Sequence, residues 1–361
     1  MNFSVPILKT KLNIPILKTT TLTRARLITQ LNDGMHCKFT LISAPAGFGK
    51  TTLLTEWLQN LQTQVAWISL DERDNDLSRF MKYLITAIQP LFRETHLPSL
   101  DLLQTPSSPM VDKPSVEFLL ISFINILAET SQNLVLILDD YHLITESGIH
   151  KAMLFLLDNM PQNMHLVLAS RTDPPWPLAR YRARREMNEL RVNDLRFNNL
   201  ETESFINNRM SLNLGKKEIN VLEARTEGWI AGLQMAALSM HGRQDTKSYI
   251  HTLSGSNRFI LDFLTEEVLD QQTADVHDFL LTTSILQRIN AELCDAVTQN
   301  DNGHALLALI DQSNLFIVPM DNEREWFRYH NLFADLLRNM LEHKLPDLVP
   351  ILHQRSSSWF E

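Results

Sequence analysis

The stretch Phe39-Thr40-Leu41-Ile42-Ser43-Ala44-Pro45-Ala46-Gly47-Phe48-Gly49-Lys50-Thr51 decides the fold. Its first five residues form a short apolar run that reads as a buried strand. A glycine-containing turn follows, and a helix is expected over residues 51–61. The turn matches the phosphate-loop pattern G-x-x-x-x-G-K-[ST] except for Ala44 at the first glycine position. Such a loop must wrap backbone amides around a phosphate, and Gly47 and Gly49 can take conformations that other residues resist. Lys50 would bridge the β- and γ-phosphates of ATP, and the Thr51 hydroxyl would ligate Mg²⁺. The start of the helix adds the positive end of its dipole. Ala44, Gly47, Phe48, Gly49, Lys50, Thr51 and Thr52 are therefore the candidate nucleotide-binding residues of this loop. A chance Lys-Thr after an ordinary turn is the plainer reading, and the strand–turn–helix context disfavours it.

Working outward, further strands are expected at residues 65–70, 134–138 and 165–170, alternating with helices at 77–88 and 116–129. The Pro- and Ser-rich residues 97–115 read as a surface loop. Strands that are continuously apolar and alternate with helices indicate a parallel sheet covered on both faces. The strand 134–138 ends in Asp139-Asp140. A phosphate-loop enzyme needs an acid at such a strand end to hold Mg²⁺, which is the role assigned to Asp139. Asp140 would orient or activate the attacking water. The strand 165–170 leads to Arg171, where a guanidinium could discriminate ATP from ADP through the γ-phosphate. Taken alone, an Asp-Asp loop start and a surface arginine are each as plausible. Arg180, Arg182, Arg184, Arg185, Arg191 and Arg196 form a basic stretch that reads as a solvated helix face, because no aromatic-rich pattern surrounds it beyond Tyr181.

Beyond residue 200 the strand signals fade. Phe259, Ile260, Phe263 and Leu264, and later Leu332, Phe333, Leu336, Leu337, Met340 and Leu341, recur at helical spacing. One hairpin interrupts them: Leu315-Phe316-Ile317-Val318, a turn at Asp321-Asn322, then Trp326-Phe327-Arg328-Tyr329. A helical region with one such hairpin fits a winged-helix domain. The expected fold class is thus an α/β P-loop NTPase domain, a parallel sheet with helices on both faces, followed by an all-α region and a winged-helix domain.

Composition narrows the function. Across 361 residues, 44% are hydrophobic and 21% charged, as in an ordinary globular protein able to bury its own core. The net charge of −9 disfavours general nucleic-acid binding, which rests on neutralising phosphates with Lys and Arg. Residues 314–345 carry Arg324, Arg328, Arg338 and Lys344 against Asp321, Glu323, Glu325, Asp335 and Glu342, so direct DNA binding is not expected there. Cys37 and Cys294 form no Cys/His cluster and suit a reducing cytosol. No signal peptide is read at residues 1–10, and the apolar run 116–127 falls short of a membrane span. A cytoplasmic location without membrane attachment is expected.

Seven segments, in order along the chain, carry a family resemblance. They are Leu22-Thr23-Arg24-Ala25-Arg26-Leu27, the phosphate loop through Leu53, Val65 to Glu72, Leu136 to His142, Ala169 to Arg180, Glu227 to Gln234, and Trp326 to Phe333. Together they resemble the MalT-like family of signal-transducing ATPases, large bacterial activators that often carry a LuxR-type DNA-binding end. The resemblance implies a cycle between an ADP-bound resting form and an ATP-bound oligomer, with the winged-helix region closing over the nucleotide. It implies that Arg24 and Arg26 lie near the base, that Gly228 to Gly232 approach the nucleotide, and that His330 contacts the diphosphate of ADP. Ala44 is common in this family at the first glycine position. Asn331 stands where a second histidine is frequent.

The organisation that follows is an N-terminal segment contributing to the nucleotide site (1–35), the NTPase domain (36–197), a helical domain (198–265), a winged-helix domain (266–345) and the start of a helical-repeat domain (346–361). The expected function is an ATP/ADP-binding, Mg²⁺-dependent regulatory switch with slow hydrolysis. In the ATP state it would associate with itself or with a full-length relative, while its effector- and DNA-binding domains lie outside this chain. The alternative is a truncated, non-catalytic interaction protein that binds nucleotide passively. A metabolic kinase is disfavoured because no acceptor pocket or lid is legible.

Overall fold

A computed structural model describes residues 7–17, 21–91, 116–130, 132–241, 246, 249–250, 253–255 and 257–361. The loop expected over 97–115 lies outside these residues. The chain divides into two compact units. The first comprises residues 23–44 and 50–194 with the N-terminal segment, and the second comprises residues 45–49 and 195–361.

The first unit is built on a parallel sheet. In chain order its elements are α1 (Ala25–Gly34), β1 (Phe39–Ser43), α2 (Lys50–Leu58), β2 (Gln64–Ser69), α3 (Leu77–Ile88), α4 (Val116–Glu129), β3 (Leu134–Asp139), α5 (Ser147–Asn159), β4 (Met164–Ser170), α6 (Leu178–Ala183) and β5 (Met187–Leu190). The strands lie in the order β2-β3-β4-β1-β5, and every pairing is parallel. Every residue of β1, β3 and β4 is buried, which requires cover on both faces of the sheet. On one face Phe39, Leu41, Leu136, Leu138, Leu166 and Leu168 pack with Phe80, Leu84, Leu120, Met153 and Leu156 from α3, α4 and α5. On α1 and α2, the Trp57 indole donates to Asn32 at 2.8 Å.

The reading of the basic stretch as a helix face holds for Arg180 and Arg182, which lie on α6, but a fifth strand follows Arg184 and Arg185 and interrupts the stretch. Met187-Asn188-Glu189-Leu190 pairs with β1 at the sheet edge, with the alternation of buried ends and half-buried middle that an edge permits. Among the described residues four of the arginines stand in ion pairs, Arg180 with Asp158 and three others. Arg182 meets Glu189 at 2.7 Å, Arg191 also meets Glu189 at 2.7 Å and pairs with Asp173, and Arg196 lies 3.4 Å from Glu227. A four-residue strand whose two middle residues are Asn188 and Glu189 has too little apolar character to be read from pattern alone.

The N-terminal segment is held by charge. A single 3₁₀ turn, Lys9–Leu12, buries Lys11, whose ammonium pairs with the fully buried Asp74 and with Asp71 at 3.0 Å. Asp74 also accepts from Arg79 Nε at 3.1 Å and from the Asp71 amide at 2.9 Å.

The second unit contains α7 (Asn199–Glu203, continued by a π turn over Ser204–Arg209), α8 (Lys216–Thr226), α9 (Ile230–Met240), α10 (Arg258–Leu264, with a π turn over Thr265–Leu269), α11 (Ala274–Thr283), α12 (Ala291–Thr298), α13 (Gly303–Gln312), the hairpin β6 (Ile317–Pro319) and β7 (Phe327–Tyr329), α14 (Asn331–Lys344) and α15 (Leu348–Phe360). The hairpin is antiparallel, with Val318 opposite Arg328. It is shorter than expected at its start. Phe316 has φ 55°, a left-handed conformation unfavourable for an aromatic residue, so it turns out of the strand. Its ring packs against Trp229, His330 and Phe333 at 5.2, 5.6 and 5.6 Å between centroids.

Because Asp74 serves three donors in a dry environment, Asp74→Ala is expected to destabilise the first unit by roughly 3–5 kcal/mol by stranding Lys11. Urea unfolding of the variant beside wild type measures this, and a loss below about 1 kcal/mol would show that the pair contributes little.

Candidate functional site

In the first unit, parallel pairing brings several strand ends to one edge. Ser43 pairs with Ser170, and Ser69 with Asp139, so the carboxyl ends of β1, β2, β3 and β4 lie together. This edge is where open α/β sheets hold ligands, since the loops that leave it are free to carry polar groups.

Lys50 and Thr51 open α2 at this edge. Lys50 is buried, and its ammonium donates to the Ala44 carbonyl at 2.7 Å. The Thr51 hydroxyl donates to Asp139 Oδ2 at 2.9 Å, joining the first turn of α2 to the end of β3. Ala44 is fully buried, and its amide continues the sheet by donating to Ser170 O at 3.2 Å. It has no positive φ, unlike Gly47 (77°) and Gly49 (75°), so a methyl group is tolerated there without backbone strain.

The electrostatics of this edge follow from its dryness. Burial, with the Asp140 charge beside it, pushes the Asp139 carboxyl up to about 6. The Thr51 hydrogen bond and Lys50 oppose that rise. Burial, aided by Arg171, brings the Lys50 ammonium down to about 8, while Asp140 and Asp139 pull the other way. Asp140 has φ 58°, a strained position for a non-glycine residue, and is half-exposed directly after the strand. Arg171 is half-buried just past β4, and its charge is felt at both Lys50 and His142.

The sequence reading assigned no role to His142. Its ring lies 3.9 Å from Asp140 Oδ1, and burial together with Arg171 and Lys50 lowers its pKa to about 3. It is therefore a neutral imidazole within the same cluster. The signal was present in the Asp139-Asp140-Tyr141-His142 run, but a histidine three residues past a strand has no distinguishing pattern. Among the other expected residues of this unit, Arg24 is buried at the start of α1, whereas Arg26 and Thr52 are exposed.

In the second unit, the loop residues 45–49 meet the segment from Gly228 to Gly232. The Trp229 indole N–H donates to Ala46 O at 3.0 Å, and the Ala231 amide donates to Gly47 O at 3.0 Å. Phe48 is buried and its ring lies 6.2 Å from that of Phe316. His330, at the start of α14, is buried and bonds through Nε2 to Thr226 O at 2.9 Å. A carbonyl only accepts, so Nε2 carries the proton. Among the described residues Nδ1 has no hydrogen-bond partner. Burial lowers the His330 pKa to about 4, against the opposing charge of Glu227. Glu227 itself caps α8 in a left-handed conformation (φ 49°) and receives both guanidinium nitrogens of Arg328, at 2.7 and 2.8 Å. Burial would raise the Glu227 carboxyl, but the Arg328 bond, the His330 charge and the Asn331 amide bring it down to about 2.

Comparison with known proteins agrees with this architecture. Profiles of the AAA ATPase domain and of the MalT winged helix domain match residues 21–169 and 265–349, respectively. The HTH-type transcriptional regulator MalT of Yersinia enterocolitica is 37% identical over 97% of this chain. The chain belongs to the MalT-like family. It spans 38% of the length of that relative and of the Yersinia pestis regulator of the same name, which is also 37% identical over 97% of the chain. Among solved structures, a Walker-type ATPase of Pyrococcus abyssi shares the fold, with a TM-score of 0.61 and 15% identity over 89% of this chain and 97% of its own. Together these matches give the chain a P-loop ATPase domain followed by a MalT-type winged-helix domain. Among the described residues no helix is long and apolar enough to cross a membrane.

The raised pKa of Asp139 has a defined consequence for stability. A carboxyl whose pKa is higher when folded than unfolded stabilises the fold while protonated, and that contribution is lost as pH rises through the folded value. Asp139→Asn is therefore expected to be more stable than wild type near pH 7 by up to about 3 kcal/mol, the gap closing towards pH 4. Thermal melts across pH 4–8 without nucleotide would show it; a pH-independent gap would contradict the assignment.

Proposed function

We propose that this chain is an ATP/ADP-binding regulatory switch with slow ATPase activity, the nucleotide-holding part of a transcriptional activator whose effector- and DNA-binding parts lie outside it. The observation that carries the reading is the Thr51–Asp139 hydrogen bond beside the buried Lys50 in a matched phosphate loop. A hydroxyl and a carboxylate whose oxygens already meet are the donor set that Mg²⁺ uses in P-loop proteins, one directly and one through water. The loop also fits a diphosphate: Gly47 and Gly49 free its backbone, and the Lys50 ammonium supplies the charge. Thr51 and Asp139 would hold Mg²⁺, which would supply neutralisation of phosphate charge.

Within this reading, Ala44, Gly47, Phe48, Gly49 and Thr52 supply backbone around the phosphates, and Lys50 bridges them. Thr51 and Asp139 hold the metal ion, and Asp140 orients the attacking water. Arg171 engages the γ-phosphate, while Arg24 and Arg26 lie near the base. His330 meets the diphosphate of ADP, the role that the family resemblance implies. Because Nε2 already donates to Thr226, holding an anion at Nδ1 requires a second proton.

Moving a two-state protein from mostly closed to mostly open takes about 5.5 kcal/mol of differential binding. Charge-assisted hydrogen bonds contribute roughly 1.5–3 kcal/mol each, so two or three γ-phosphate contacts through Lys50, Arg171 and Mg²⁺ are enough. Hydrolysis then serves as a timer, with turnover on the order of 10⁻⁴–10⁻² s⁻¹ as in unassisted GTPases. Self-association, or association with a full-length relative, belongs to the ATP state.

Acid extraction of freshly purified protein followed by chromatography is expected to release ADP from wild type and none from Lys50→Ala. Asp139→Ala is expected to keep weak ATP binding and to lose hydrolysis. Tight ATP binding by Lys50→Ala in calorimetry would remove the site assignment.

A further inference from the structure

We propose that Trp229 is a positioning residue for the phosphate loop, setting through its indole N–H the direction of a loop amide and hence the rate at which nucleotide leaves. The inference rests on the nucleotide reading above and goes beyond it by assigning the control of release to a residue outside the motif.

A trans peptide is planar, so the carbonyl of one residue and the amide of the next point in opposite directions. Fixing the Ala46 carbonyl therefore fixes the Gly47 N–H, and fixing the Gly47 carbonyl fixes the Phe48 N–H. Both carbonyls are held from the same side, Ala46 O by Trp229 Nε1 and Gly47 O by the Ala231 amide, each at 3.0 Å. The Gly47 and Phe48 amides consequently turn away from the 229–231 segment. A phosphate loop works by converging its amides on the anion, so two of them are aimed by contacts that the anion does not make itself.

Trp229 is well placed to hold that geometry. It is fully buried, and its ring packs edge-on or tilted against Phe263, Phe316 and His330 at 5.6, 5.2 and 6.0 Å. The fit has no slack. A Cβ on Gly47 would lie 2.7 Å from Trp229 Nε1, and one on Gly232 would lie 2.5 Å from Trp229 Cε3. The indole cannot swing without displacing its neighbours, and glycine is required on both sides of it. The Trp229 N–H is thus a rigid donor, whereas Gly47 at φ 77° is intrinsically the freest part of the loop.

The test separates the N–H from the bulk of the ring. Replacing Trp229 by 3-benzothienylalanine keeps the shape and removes the donor, while Trp229→Phe removes donor and volume together. Release of mant-ADP from the full chain is followed by stopped-flow fluorescence after mixing with excess ADP, and each variant is checked by circular dichroism. Loss of one buried hydrogen bond predicts release roughly tenfold faster in the benzothienyl variant, and at least as fast in Trp229→Phe. Competition should show the loss falling on ADP and sparing AMP, which lacks the β-phosphate; a merely structural role would lower both alike. Unchanged release from a folded benzothienyl variant overturns the inference and leaves the nucleotide reading standing. Wild-type protein that binds no mant-ADP overturns both.

Discussion

The hydrogen bond from Thr51 to Asp139 links the first turn of a helix to the end of a strand that is not its sheet neighbour. Here β4 lies between β1 and β3, and all three run parallel with their carboxyl ends level, which brings the two groups within reach. The complete burial of β1, β3 and β4 follows from the same arrangement, because a parallel sheet needs helices on both faces to close its crossovers. One short contact thereby ties the topology of the first unit to the chemistry of its edge.

That edge is electrostatically tense. Burial disfavours the charged forms of Asp139 and Lys50, Asp140 adds to that effect at Asp139 and Arg171 at Lys50, and the attraction between Asp139 and Lys50 opposes it. Asp140 in its left-handed conformation and the neutral His142 complete a set that is costly without a ligand and well matched to a polyanion with a divalent cation. The second unit uses the opposite strategy. Several of its polar groups are paired within the protein, as in the bidentate Arg328–Glu227 pair and the His330–Thr226 bond, and rings pack around Phe316 and Trp229. His330 Nδ1 departs from that pattern, as a buried atom without a partner.

Much of this was legible in the residues. Long apolar runs such as Leu134 to Leu138 and strongly periodic helices such as α3 and α14 announce themselves, because burial demands continuous hydrophobicity or a regular stripe. The loop glycines and Lys50 were readable because phosphate binding restricts which residues can stand there. The edge strand β5 was not, since a half-solvated strand tolerates Asn188 and Glu189 and is too short to show an apolar run between its flanking arginines. The left-handed Phe316 was also hidden, as no local preference places an aromatic residue at positive φ.

The sequence by itself determined the identity of the phosphate loop, the acid at the end of β3 and the family to which the chain belongs. These reside in short segments whose chemistry is carried by adjacent residues. Tertiary structure alone decided that Lys11 is neutralised by Asp74, that His142 joins the acidic cluster, and that Trp229 reaches Ala46. Each pair but one is separated by more than sixty positions, and the exception, His142 with Asp140, needs the turn after β3 to bring the ring back. Such contacts depend on which surfaces packing brings together, and no local pattern of residues encodes that.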